Sequence, residues 1–313
     1  MAIHEVLTLD FFIASLAITM RIAPTILIAS MGELITEKSG VLNLGVEGIM
    51  LLGAFTAFVV SFITGNPWMG ALSAMLVGML IGMVFGVLTV YGGVNQVVVG
   101  LGIWLAGFGL SDVLYRIFFR EVASPTVNTI GVMPIPVLSD IPIIGPILFN
   151  HNPLVYLSLL LVPAVALFLK RTNLGMRIRA VGENPRAADS MGINVYRTRM
   201  IAVLIGSMLA GLGGAYFTTA FLSSYVLNIT FGRGFIALAM IYFGNWNPYR
   251  ALIPILIFNY VDSLQLGLQS VGVGIKYYFL NMLPWITVIA LIPIFGRKAQ
   301  APAALLQPYR RAG

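Results

Sequence analysis

Charge is scarce in this chain, so each polar group inside an apolar run is a candidate for chemistry. Glu47 stands in VLNLGVEGIM between Gly45 and Gly48, with Asn43 four residues before it. Asn95 and Gln96 stand in YGGVNQVVVG. Asp262 stands in IFNYVDSLQ, with Asn259 and Gln265 one turn to either side, and Asp112 ends a long uncharged block. Polar groups at membrane depth are costly and tend to face a bundle interior or a watery cavity. Asn43, Glu47, Asn95, Gln96 and Asp262 are therefore the candidates for lining the route of a polar solute. The alternative for each is a structural hydrogen bond between helices or at a helix end. Trp104, Phe108, Phe217 and Tyr260 could present ring faces to the same solute, or serve as packing and interfacial anchors.

Other chemistries lack their residues. There is no cysteine, and His4 and His151 are far apart, so no metal pair is expected. No H-E-x-x-H motif and no Ser/His pairing supports an intramembrane enzyme. No G-x-x-x-x-G-K-[ST] phosphate loop occurs, and Lys38, Lys170, Lys276 and Lys298 all lie in other contexts. The chain is expected to be neither an enzyme nor an ATPase, and to hold no cofactor.

The elements that must position these groups are membrane helices. Of the 313 residues 59% are hydrophobic and only 9% charged, against about 25% charged in soluble domains. No charged residue occurs from Gly48 to Ser111. A span needs about 20 apolar residues. Spans are predicted over 10–32, 42–64, 68–92, 96–119, 152–170, 199–222, 229–245, 250–270 and 276–296. The fold class is thus an all-α polytopic membrane protein of about nine transmembrane helices, some broken or re-entrant. The polar start SGVLNLGVEG marks the second span as a candidate for a break. The first ten residues carry no Lys or Arg, so no signal peptide is read there.

The net charge of +7 needs no nucleic acid, because basic residues collect on the cytoplasmic side of membrane proteins. Lys170, Arg171, Arg177, Arg179, Arg186, Arg197 and Arg199 fall in one loop, residues 171–198 with their flanks. Arg297, Lys298, Arg310 and Arg311 fall in a tail, 297–313. Both are expected to be cytoplasmic, which puts the N-terminus outside. The segment 120–151 is then external, and its Pro125, Pro134, Pro136, Pro142 and Pro146 would break a spanning helix. Gly78, Gly82 and Gly86, and Gly206, Ala210 and Gly214, recur at four-residue spacing, as helices in close contact require. Contact within one subunit or between two would both satisfy that pattern.

Inside the basic loop, NPRAADSMG reads as a helix of about two turns. Asn184 is a good N-cap, Pro185 suits the first helical position, and Gly192 suits a left-handed stop. Arg186 and Asp189 are three apart and could pair. An ordinary polar loop near anionic lipid is the plainer alternative.

The stretch RAVGENPRAADSMGINVYRTR resembles the cytoplasmic coupling segment of ABC importer permeases of the ribose and branched-chain amino acid type. Gly182, Asn184, Ala187, Ala188, Gly192 and Ile193 match its pattern, and Glu183, Pro185, Arg186 and Asp189 fall inside it. GELITEKSGVLNLGVEGIMLLGAF and GGVNQVVVGLGIWLAGFGLSDVLYR are also similar to that family. GNPWMGALSAML and SDIPIIGPILFNHNPLVY narrow the resemblance to its nucleoside and simple-sugar branch. The resemblance implies that the short helix docks on a separate ATPase, which binds ATP and Mg. It also implies a second, related and different permease, an external substrate-binding lipoprotein, and the bacterial cytoplasmic membrane. The resemblance further implies that one N-terminal helix of ribose permeases has no counterpart here, in keeping with the expected external N-terminus. The substrate implied is a nucleoside or a simple sugar. A branched-chain amino acid substrate, or an ion-coupled transporter using Glu47 and Asp262, are the alternatives.

Overall fold

Among the described residues of the computed structural model, seven helices are long and apolar enough to span a membrane: Val46–Thr64 (α3), Pro67–Gly86 (α4), Gln96–Phe118 (α5), Pro153–Arg171 (α6), Val195–Tyr216 (α9), Pro248–Ser270 (α11) and Tyr277–Phe295 (α12). The structure describes residues 8–272, 276–296 and 299–310. His4, Arg297, Lys298 and Arg311 lie outside the described residues. An eighth span forms if Leu9–Ile22 (α1) and Pro24–Lys38 (α2), bent by 40° at Ala23, are counted as one. Among the described residues there is no strand, only an isolated bridge between Thr126 and Ser224.

The count of about nine falls at two places: the predicted span 229–245 is too short, and the predicted span 10–32 is two helices bent at Ala23. The predicted span 229–245 is an 11-residue helix, Arg233–Phe243 (α10). At about 1.5 Å per residue it reaches only about 16 Å, half the hydrocarbon thickness. Hydropathy ran past its start, where Gly232 has φ +78° and ends the preceding irregular chain. The predicted span 10–32 also ends short of the charged residues Glu33 and Glu37. The helix in fact continues to Lys38 with Glu33 and Glu37 both buried, because each carboxylate has a distant donor. The Asn43 N–H donates to Glu33 Oε1 at 2.8 Å, and the Trp246 indole N–H donates to Glu37 Oε2. The break expected in the second span is absent: α3 is continuous from Val46, the polar entry 39–45 is a turn beside α2, and the bent helix pair lies instead in the first predicted span.

Small residues set the helix spacing within the subunit. A Cβ on Gly78 would lie 2.4 Å from the Ser207 carbonyl oxygen of α9. One on Gly214 would lie 1.9 Å from the Met50 carbonyl oxygen of α3. α9 is thus central, packed by α2, α3 and α4. The outward face of α5 carries Val98, Leu105, Val113 and Ile117, all exposed.

The end of the bundle that carries the basic loop is closed by short pieces. Asn173–Glu183 (α7), a helix within the stretch predicted as loop, leads into Pro185–Ser190 (α8). Residues 299–310 then lie across this end. Ala304 N–H donates to the Gly182 carbonyl at 2.9 Å, and Leu306 N–H to that of Gly40 at 3.2 Å. Arg199, 2% exposed, donates to the Ser39 carbonyl at 3.1 Å and the Gln307 carbonyl at 2.9 Å.

Candidate functional site

The cavity lies between α1, the end of α9, the irregular stretch 222–232, α10, α11 and α12, and holds about 620 Å³. That is within the size range of small-molecule sites, about 300–1,000 Å³. Its wall is mostly apolar, with Phe217, Phe221, Phe231, Tyr277 and Trp285 supplying ring surface. Its polar groups are few: Asn228, Arg233, Asp262, Gln265 and Asn281.

The charged groups neutralise each other. Arg233 Nη2 donates to Asp262 Oδ2 at 2.5 Å, with both side chains largely buried. The guanidinium carbon sits 5.2 Å from the Phe217 ring centroid, within cation–π range. Gln265 donates to the Asn281 side-chain oxygen, and Gln269 does so at 3.3 Å. An ion would meet a paired charge here, whereas a neutral solute would meet ring faces and amides.

Arg233 is held from behind. Gly232, the N-cap of α10, has no capping side chain of its own. The Glu47 carboxylate takes that place from α3. It accepts from Thr230 Oγ1–H at 2.5 Å, Gly232 N–H at 2.8 Å and Gly234 N–H at 2.6 Å. A carboxylate at a helix N-terminus satisfies free N–H groups and suits the positive end of the helix dipole.

Of the route candidates, Phe217 and Asp262 line this cavity. Glu47, 1% exposed, stands behind it. Asn43 is buried in the 39–45 turn, its Oδ1 accepting from Gly45 N–H at 2.9 Å. Gln96 Oε1 accepts from Leu42 N–H at 2.9 Å. Asn95 caps α5 through Val97 N–H at 2.9 Å. Asn95 and Gln96 border a smaller space of about 280 Å³ near Leu306 and Pro308, away from the main cavity. Trp104 packs edge-on against Phe235, Phe108 is exposed on the outside of α5, and Tyr260 packs on Phe12. Asp112 pairs with Arg116 at 2.6 Å on an exposed face, and Asn259 donates to the Ile255 carbonyl at 2.7 Å.

Sequence reading missed Arg233 and, on α12, Tyr277, Asn281 and Trp285. A signal for the first was present: Arg233 is the only charged residue between Arg199 and Arg250.

The loop segment folds as its residues dictate. Asn184 Oδ1 accepts from Ala187 N–H at 3.0 Å, Pro185 opens α8, and Gly192 has φ +81°. Ala188 is buried with Val181, Val195 and Tyr309, while Met191 is 82% exposed beyond the helix. Glu183 Oε2 accepts from Ala303 N–H at 3.5 Å.

A family described as branched-chain amino acid transport system, permease component, matches residues 15–293. The chain is 36% identical to a putative glucose ABC transporter permease protein of Haloferax volcanii, over 97% of this chain and 99% of the other. It is 35% identical to a nucleoside ABC transporter permease protein of Lactococcus lactis, over 95% and 96%. It is 34% identical to a guanosine ABC transporter permease protein of Bacillus subtilis, over 93% and 94%. No solved structure matches.

Proposed function

The chain belongs to the permease-component family of the branched-chain amino acid type, and from that premise we propose that it forms the route of a nucleoside across the bacterial cytoplasmic membrane. The carrying observation is the cavity beside Arg233 and Asp262: aromatic walls, neutral amides and a self-neutralised ion pair. A nucleoside has an apolar base face and a ring of hydroxyls, which these groups complement without a free charge. Its relatives include nucleoside and guanosine permeases as well as a glucose permease, so the choice of a nucleoside rests on the cavity wall.

In this reading the end bearing α7 and α8 faces the cytoplasm, and α8 docks on a separate ABC ATPase. The exposed residues of the segment, Glu183, Asn184, Arg186, Ala187 and Met191, form the docking surface, and Gly182 and Ala188 are buried beneath it. ATP and Mg belong to that ATPase, and the chain itself is no enzyme. Segment 120–151 faces outward, where a substrate-binding lipoprotein would deliver its load, and a second, related permease completes the pathway. An ion-coupled mechanism has little to work with. Glu47 is committed to three hydrogen bonds and Asp262 to Arg233.

The test is uptake of radiolabelled nucleosides by cells lacking this chain, with ribose and leucine as controls. Selective loss of nucleoside uptake, restored by the intact chain and not by Gly192→Pro, is expected. Loss of ribose or leucine uptake alone would move the substrate, and restoration by Gly192→Pro would sink the docking role.

A further inference from the structure

We propose that Glu47 is a positioning residue for substrate recognition: it lies outside the cavity and sets affinity by fixing Arg233. The inference rests on the cavity being the substrate route.

Three donors converge on the Glu47 carboxylate, and they flank Arg233 in sequence at positions 230, 232 and 234. The residue that reaches the cavity is therefore pinned on both sides. The approach is close enough to exclude any side chain at Gly234, where a Cβ would lie 2.7 Å from the Glu47 Cα. Because α10 has no cap of its own, its first turn depends on this carboxylate from another helix. The stretch before it is irregular, with Asn228, Phe231 and Gly232 all at positive φ. Such backbone holds one conformation only where its surroundings over-determine it. Removing the carboxylate frees the one element that carries the guanidinium to Asp262 and to the Phe217 ring. A loosened recognition group weakens binding more than turnover, because binding then includes the entropy of ordering it.

Glu47→Gln is nearly isosteric and keeps one acceptor oxygen, but sets an N–H₂ against backbone or hydroxyl donors. The experiment measures labelled guanosine uptake by cells carrying the complete transporter, normalised to assembled complex, for a double-mutant cycle. The four forms are the intact chain, Glu47→Gln, the charge-balanced pair Arg233→Gln/Asp262→Asn, and all three changes together. Glu47→Gln is expected to raise the half-saturating concentration about tenfold, the order of one lost charge-assisted hydrogen bond, while changing the maximal rate by less than about twofold. Added to the Arg233/Asp262 pair it is expected to change half-saturation by less than about twofold, because its effect passes through Arg233.

If the Arg233/Asp262 pair raises half-saturation but Glu47→Gln does not, or adds its full effect on top, the positioning role is overturned and the cavity reading stands. If the Arg233/Asp262 pair matches the intact chain, the cavity reading itself fails and the inference with it. Should Glu47→Gln fail to assemble, Thr230→Val removes one of the three donors and carries the same cycle, with about threefold expected in place of tenfold.

Discussion

The tightest approach described above predicts a pair of opposite outcomes from one substitution. A Cβ at Gly214 would lie 1.9 Å from the Met50 carbonyl oxygen, where ordinary contact begins at 3.4 Å. Gly214→Ala therefore asks α9 and α3 to separate by 3.4 − 1.9 = 1.5 Å at that level. The obstructing atom is backbone, so no rotamer change relieves it. Overpacking of a filled interior costs about 1–3 kcal/mol and occasionally more, and a clash with backbone belongs at the upper end. Gly102 on α5 is the control, since a Cβ there meets nothing within 4 Å. Both are Gly→Ala changes inside long apolar helices, so propensity cancels between them. The assay is thermal survival of the monodisperse, detergent-solubilised complex, followed by fluorescence-detected size exclusion. Gly214→Ala should lose its peak several degrees below the intact chain, and Gly102→Ala should match it. Equal survival of the two variants would refute the reasoning that α9 and α3 are held at backbone contact.

Trp246→Phe strips buried Glu37 of its indole donor; a loss of about 1–3 kcal/mol, read as earlier melting, is expected. Glu37→Gln combined with it should melt later than Trp246→Phe alone. Asn184→Ala removes the cap of α8 at a cost of about 1 kcal/mol; amide exchange at 187–190 should quicken about fivefold, with the spans unchanged. His151, outside the spans, has its imidazole pKa pushed down by burial, with the charge of Arg21 adding to this. Its folded pKa lies below the unfolded one, so its stabilising contribution is full above the ordinary imidazole range. It is lost as pH falls from there through the depressed value. Melting at pH 5 relative to pH 7 should therefore be less depressed in His151→Gln than in the intact chain.

What could be read from the sequence was what neighbours in sequence decide. The cap, first-turn proline and left-handed stop of α8 are all within Asn184 to Gly192, and each folds as its type requires. The polar entry 39–45 was legible as non-helical for the same reason, although α3 itself is unbroken. Glu33 was not, because its burial rests on a donor across the 39–45 turn, and Glu37 depends on Trp246, 209 residues away. Hydropathy gave α10 the length of a span because it weighs side chains only. The start at Arg233 is set by the backbone at Gly232 and by a carboxylate 185 residues earlier in the chain. Phe217 and Asp262 were visible as polar and aromatic groups in apolar runs. Arg233 was visible as an isolated charge, but its meaning needed both of those partners at once.

The lacing of residues 299–310 over the loop end has a bearing on biosynthesis. Gly40, Gly182 and Arg199 each hold a bond to this segment, although they are made long before it. Until the segment leaves the ribosome, the carbonyl of Gly182 and the guanidinium of Arg199 lack partners they have in the finished fold. A chain from which residues 299–310 are missing would thus have an open face where α7 and α8 meet the bundle. Emergence of residues 299–310 and closure of that face become one event. A protease or chaperone that reads open polar backbone could tell finished permeases from truncated ones at that single spot.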